Sequence, residues 1–166
     1  RPHLGASSGF QSPQYRMMEF MLGGRDAKHV RLHKDNADWA DRLEAERGRA
    51  SLYDAAIRLL ARRGFAIDEG VMARDLAAAY APDPSVEAAW AAIYRDPQSH
   101  WDLYELAEKL VDLEYHFQRW RFGHLKTVER IIGFKRGTGG TGGVSYLRKM
   151  LDVVLFPEIW TLRTSL

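Results

Sequence analysis

The stretch Ser99–Ile132, SHWDLYELAEKLVDLEYHFQRWRFGHLKTVERII, decides the fold class. It has no proline, and its one glycine is Gly123. Leu103, Leu106, Leu110, Leu113, Phe117, Trp120, His124, Val128 and Ile131 recur at spacings of three or four. Asp102, Glu105, Lys109, Asp112, His116, Arg119, Lys126 and Arg130 fall on the other side. That is the period of an α-helix with one apolar stripe. It predicts one amphipathic helix over about 99–132, on the order of 50 Å long.

Beyond this helix the composition changes abruptly: Gly133 to Gly143 holds six of the chain's 14 glycines. A last helix is expected over about Val144–Val154, turning Tyr146, Leu147, Met150 and Leu151 inward. Before it, Ser85 is the expected cap of a helix stopped by Pro97. Ser51, with Asp54 three residues on, resembles a capping box and predicts a helix to about Arg63, ended by Gly64. Residues 65–83 are mixed, with a short helical piece near Ala73–Ala79. The polar segment 25–50 has room for one or two short helices. A first helix is expected over Phe10–Leu22, entered from Ser7-Ser8-Gly9 and stopped by Gly23-Gly24. No run alternates with period two and no repeat appears. The expectation is an all-α fold, a single helical domain over 1–166 built around the long helix.

The chain has 166 residues, 46% hydrophobic and 28% charged, an ordinary globular composition rather than a disordered one. A formal charge of +2 argues against nucleic-acid binding as the main role, although the pI near 8.9 leaves room for a local basic patch. The absence of cysteine excludes a disulfide scaffold, a Cys-ligated zinc site, an iron–sulfur cluster and a thiol nucleophile, and is compatible with a reducing compartment. No apolar run approaches the ~18 residues that span a bilayer, so no membrane partner is expected. Arg1-Pro2-His3-Leu4 is neither a signal peptide nor an initiator sequence, so a processed chain or a fragment is expected.

His124 is the most informative residue. It lies on the apolar stripe between Trp120 and Val128, beside a glycine that would admit a bulky neighbour. Two readings are open: a core histidine satisfied by one hydrogen bond, or a metal or haem ligand presented from a rigid helix into an apolar cavity. His116 falls on the polar side, so a multi-histidine site within this helix is not expected. The segment Phe134–Gly143 follows a helix and lacks the Gly-Lys-Ser/Thr ending of a phosphate loop, which weakens a nucleotide reading. It is either a flexible connection or a lid that orders over a ligand through its two threonines. Arg1, Arg16, Lys135 and Arg136 are each expected to be solvated surface charges, although together they could hold carboxylates. No Asp or Glu stands out as lying in an apolar setting, and the Trp and Tyr residues read mainly as core.

Several of these stretches together resemble the tryptophan 2,3-dioxygenase family, bacterial type. They are Ser7-Ser8-Gly9-Phe10-Gln11-Ser12 with Gln14-Tyr15-Arg16, then Ser51-Leu52-Tyr53, then Trp120-Arg121-Phe122-Gly123-His124 with Thr127-Val128. Ile132-Gly133-Phe134-Lys135-Arg136-Gly137-Thr138-Gly139-Gly140, Phe156-Pro157-Glu158 and Leu162-Arg163-Thr164 complete the match. The resemblance covers essentially the whole chain. It implies an all-helical haem b protein that inserts both atoms of O2 across the indole C2–C3 bond of L-tryptophan, giving N-formyl-L-kynurenine. It also implies a cytoplasmic homotetramer. His124 would be the axial ligand of the haem iron. Arg1 would pair with the substrate carboxylate, and Thr138 would hold the ammonium and carboxylate region. Leu4, Ser8 and Gly9 would line the substrate pocket, with Ser8 also reaching the cofactor. Tyr15, Arg16 and Trp120 would lie by the haem, Arg16 as a propionate partner. The family carries an upstream segment with the distal histidine, the indole-facing aromatics and much of the subunit contact. That segment is absent here, so no catalytic residue is expected in this sequence. Gly123 also departs from relatives, which often have a long side chain there. Two alternatives accompany this reading: a non-catalytic haem-binding or sensing module, and a helical scaffold without cofactor.

Overall fold

The computed structural model describes residues 12–133 and 144–164, all-helical with no strand among them. The helices are α1 Pro13–Leu22, α2 Lys28–Arg31, α3 Ala37–Arg47, α4 Leu52–Arg62, α5 Glu69–Met72, α6 Pro84–Arg95, α7 Trp101–Ile132, α8 Val144–Lys149 and α9 Pro157–Thr161. Short 3-10 turns follow α8 and α9.

Helix α7 is the organising element, packed against α6, α8 and α9, while α1 packs on α3 and α4. The core between them holds Tyr53, Ile57 and Leu60 of α4, Val86, Trp90 and Ile93 of α6, and Phe156 and Ile159 near α9. The buried face of α7 is rotated from the expected one. It runs Leu103, Ala107, Leu110, Glu114, Phe117, Arg121, Leu125, whereas Leu113, Trp120 and Ile131 are 39%, 45% and 52% exposed. The cause is polar. The irregular segment 153–156 leaves backbone groups without helical partners, and buried backbone groups must be paired. Glu114 accepts hydrogen bonds from the Leu155 and Phe156 amides (2.6 and 3.1 Å) and from Trp160 Nε1 (2.8 Å). Arg121 donates to the Val153 carbonyl at 2.9 Å. Turning the helix to satisfy these groups draws two charged residues into the core.

Helix α4 starts as expected. Ser51 Oγ accepts from the Asp54 amide (3.1 Å), and Asp54 Oδ2 accepts from the Ser51 amide (2.8 Å), closing a capping box. Ser51→Ala should cost about 1–2 kcal/mol. Urea unfolding should show a lower midpoint with unchanged denaturant dependence.

Other boundaries differ from expectation. Helix α1 begins at Pro13, capped by Ser12, because proline suits the first helical position; Phe10 lies outside the described residues. Asp83, not Ser85, caps α6: Pro84 takes the first helical position, and the Ser85 amide and hydroxyl both donate to Asp83 Oδ1. The short helix after α4 is Glu69–Met72, capped by Asp68. Residues 75–78 instead form a turn, held by Arg74 on the Asp75 and Ala78 carbonyls. Helix α7 starts at Trp101, and α8 tightens to a 3-10 turn at Met150–Asp152 before reaching Val154. Gly23 ends α1 with φ +131°, a conformation that L side chains rarely adopt.

Candidate functional site

The site forms where side chains of α1 meet those of the second half of α7. Tyr15 of α1 stacks on Phe117 (5.3 Å between centroids, 6° between planes) and on Trp120 (5.1 Å, 20°). Trp120 in turn stacks on His124 (5.5 Å, 11°). The four rings are nearly parallel. Beside them lies an apolar hollow of about 600 Å³, walled mainly by Tyr15, Met18, Met21, Leu113, Phe117 and Trp120. His116, expected on the polar side, is exposed yet also lines this hollow.

His124 is half-buried, and burial pushes its imidazole below the usual histidine value. It is therefore neutral at neutral pH, the form that binds a metal. A Cβ added at Gly123 would meet nothing within 4 Å, so the helix surface beside His124 is open. Thr127 Oγ1 donates back to the Gly123 carbonyl at 2.9 Å. Among the described residues no three His, Cys, Asp or Glu converge on a metal position. A bare ion thus has no donor set among the described residues. One neutral imidazole beside flat apolar walls suits a metal that brings its remaining ligands in a planar macrocycle.

Beneath the rings lies a buried ionic cluster that the sequence did not reveal. Glu19, 2% exposed, accepts from Arg16 Nη1 (2.5 Å) and Arg121 Nη2 (3.3 Å), with His29 Nδ1 at 3.2 Å. Arg16 Nη2 donates to Tyr146 Oη at 2.5 Å, and Arg121 Nε donates to Tyr15 Oη at 2.9 Å. Arg16 is wholly buried, which corrects its expectation as a solvated cation. Glu19, Glu114 and Glu158 likewise correct the view that no carboxylate sits in an apolar setting. Burial by itself would raise Glu19; the neighbouring His29 imidazole and the Arg16 charge outweigh it and hold its carboxyl below the usual value. Tyr15 is pushed up by burial and by the Glu19 charge, so it stays a phenol. A signal for the cluster did exist. Glu114 and Arg121 fall in the 3–4 rhythm of Leu103, Ala107, Leu110, Phe117 and Leu125, one position off the stripe chosen by hydrophobicity.

Of the expected site residues, His124, Trp120 and Tyr15 come together in the ring stack, and Arg16 lies in the cluster under it. Arg1, Leu4, Ser8, Gly9 and Thr138, with Lys135, Arg136 and the lid reading of 134–143, lie outside the described residues. Among the tryptophans, Trp90 is core, whereas Trp101 and Trp120 are exposed. No described helix is long and apolar enough to cross a membrane.

Fold and site together define an all-helical protein whose one long helix carries a neutral histidine stacked on Trp120, a wall of an apolar hollow. The family model for tryptophan 2,3-dioxygenase matches residues 44–166. Over all 166 residues the chain is 68% identical to the tryptophan 2,3-dioxygenase of Erythrobacter litoralis (strain HTCC2594), covering 63% of that protein. It is 60% identical to that of Cupriavidus necator, covering 56%, and 58% identical to that of Ralstonia pickettii (strain 12J), covering 60%. This chain belongs to the tryptophan 2,3-dioxygenase family. It spans about three fifths of the length of these curated relatives.

Proposed function

We propose that this chain is the haem-holding part of a dioxygenase that adds both atoms of O2 across the indole C2–C3 bond of L-tryptophan, giving N-formyl-L-kynurenine. The observation that carries the reading is His124, half-buried on α7 and stacked on Trp120, one wall of the apolar hollow, in a chain 68% identical to a tryptophan 2,3-dioxygenase. Haem b, when bound, supplies the oxygen chemistry. His124 would hold its iron, and Tyr15 and Trp120 would form apolar walls. Arg16 donates to Glu19 and Tyr146, and its buried Nε has no hydrogen-bond partner among the described residues, so Nε is the donor we assign to a propionate. Arg1 binds the substrate carboxylate, Thr138 its ammonium and carboxylate region, and Leu4, Ser8 and Gly9 line the pocket. We assign the distal histidine to residues outside this sequence, in a cytoplasmic homotetramer.

The test is turnover by the full-length, haem-loaded, reduced protein given tryptophan and O2. N-formylkynurenine should appear; an intact haem spectrum without product would favour a sensing module instead. Tryptamine, which lacks the carboxylate, should bind more weakly by about 1.5–3 kcal/mol, roughly ten- to a hundredfold, for loss of a charge-assisted hydrogen bond. Equal affinities of the two ligands would refute the role of Arg1.

A further inference from the structure

We propose that Arg121 is a positioning residue for the axial imidazole: by anchoring Tyr15 it fixes, through Trp120, the plane of the His124 ring. The proposal rests on His124 being the haem ligand. Arg121 is wholly buried, and its guanidinium is fixed on several sides. Nη1 donates to the Val153 carbonyl (2.9 Å), Nη2 to Glu19 (3.3 Å) and Nε to Tyr15 Oη (2.9 Å), while its Cζ lies 4.7 Å from the Phe117 ring centroid. Stacking alone leaves an aromatic ring able to slide and tilt. The hydrogen bond from Arg121 to the Tyr15 hydroxyl removes that freedom, because it fixes the far end of the ring.

Tyr15 then presents a fixed face to Trp120. Trp120 is 45% exposed, so its orientation depends on its stacked neighbours more than a core residue's would. His124 lies nearly parallel to Trp120, 11° between planes. The plane of a ligating imidazole tunes its bond to the metal, and groups behind the ligand set that plane. A buried guanidinium is also a poor device for stability alone, since apolar residues of similar volume often serve as well. Besides pairing the Val153 carbonyl, Arg121 supplies direction to Tyr15, which a hydrogen-bond donor gives and a methyl group does not.

The experiment is resonance Raman spectroscopy of the full-length, ferrous, haem-loaded protein, reading the iron–histidine stretching band. Tyr15→Phe keeps the ring and deletes only the hydroxyl. Arg121→Met keeps the volume and deletes the donors. Both should shift and broaden the band in the same direction, and the double variant should do no more than the larger single change. Asp102→Ala, which breaks the exposed ion pair with Arg63 at the far end of α7, should leave the band where it is. A wild-type band in Tyr15→Phe overturns the proposal whether or not Arg121→Met folds. A wild-type protein with no histidine-ligated haem band would overturn the assignment of His124 itself, a failure distinct from that of Arg121.

Discussion

His124→Ala should give a folded, fully helical protein that no longer holds haem. His124 is only half-buried, so its loss opens no enclosed cavity in the core. Alanine favours the helix at least as well as histidine does. What disappears is the neutral imidazole and its stacking on Trp120. Far-ultraviolet circular dichroism should match the parent, while the Soret band of a histidine-ligated haem should vanish from the full-length protein. Free imidazole added to the variant should restore part of that band by filling the vacated ligand position. A normal histidine-ligated spectrum in the variant without added imidazole would show that another residue binds the iron.

The second large effect falls on stability. Glu19→Ala should destabilise the fold by about 3–5 kcal/mol, because it strands the buried guanidiniums of Arg16 and Arg121 without a counter-charge. That is a large share of the roughly 5–15 kcal/mol that holds a typical domain together. Glu19 also confers acid sensitivity. Its carboxyl is held below the ordinary value, so its contribution is fully present above the ordinary carboxylate range. It is lost as pH falls through the lowered value. Urea midpoints measured from neutral to acid pH should converge for the parent and Glu19→Gln at the acid end. If Glu19→Ala moves the neutral midpoint no further than Asp102→Ala, which breaks an exposed ion pair, the cluster contributes nothing.

What was legible in the sequence was local. The Ser51 capping box, the length of α7 and the last inward-facing residues of α8 depend on neighbours three or four positions apart. His124 and the motifs around it were legible because they sit on that regular helix. The face of α7 was not, because the demand that turns it comes from residues 153–156, far along the chain. Hydrophobicity favoured Leu113 and Trp120; unpaired amides and a carbonyl favoured Glu114 and Arg121. At α6, Asp83 and Ser85 are both competent caps, and Pro84 decides between them by fixing its own backbone angle. Glu19 was hidden for a similar reason: apart from Arg16, its partners come from α2 and α7, and nothing within α1 shows that they converge.

Glu158 carries a consequence for how the chain is made. Wholly buried, it accepts hydrogen bonds from Tyr53 Oη (2.6 Å), Tyr80 Oη and the Asp83 amide (2.9 Å). Those partners lie 105, 78 and 75 residues earlier. A ribosome therefore releases α4 and α6 long before the carboxylate that pins them exists. Until Glu158 clears the exit tunnel, the surfaces it closes stay open to water and to other nascent chains, an interval in which chaperones guard such intermediates.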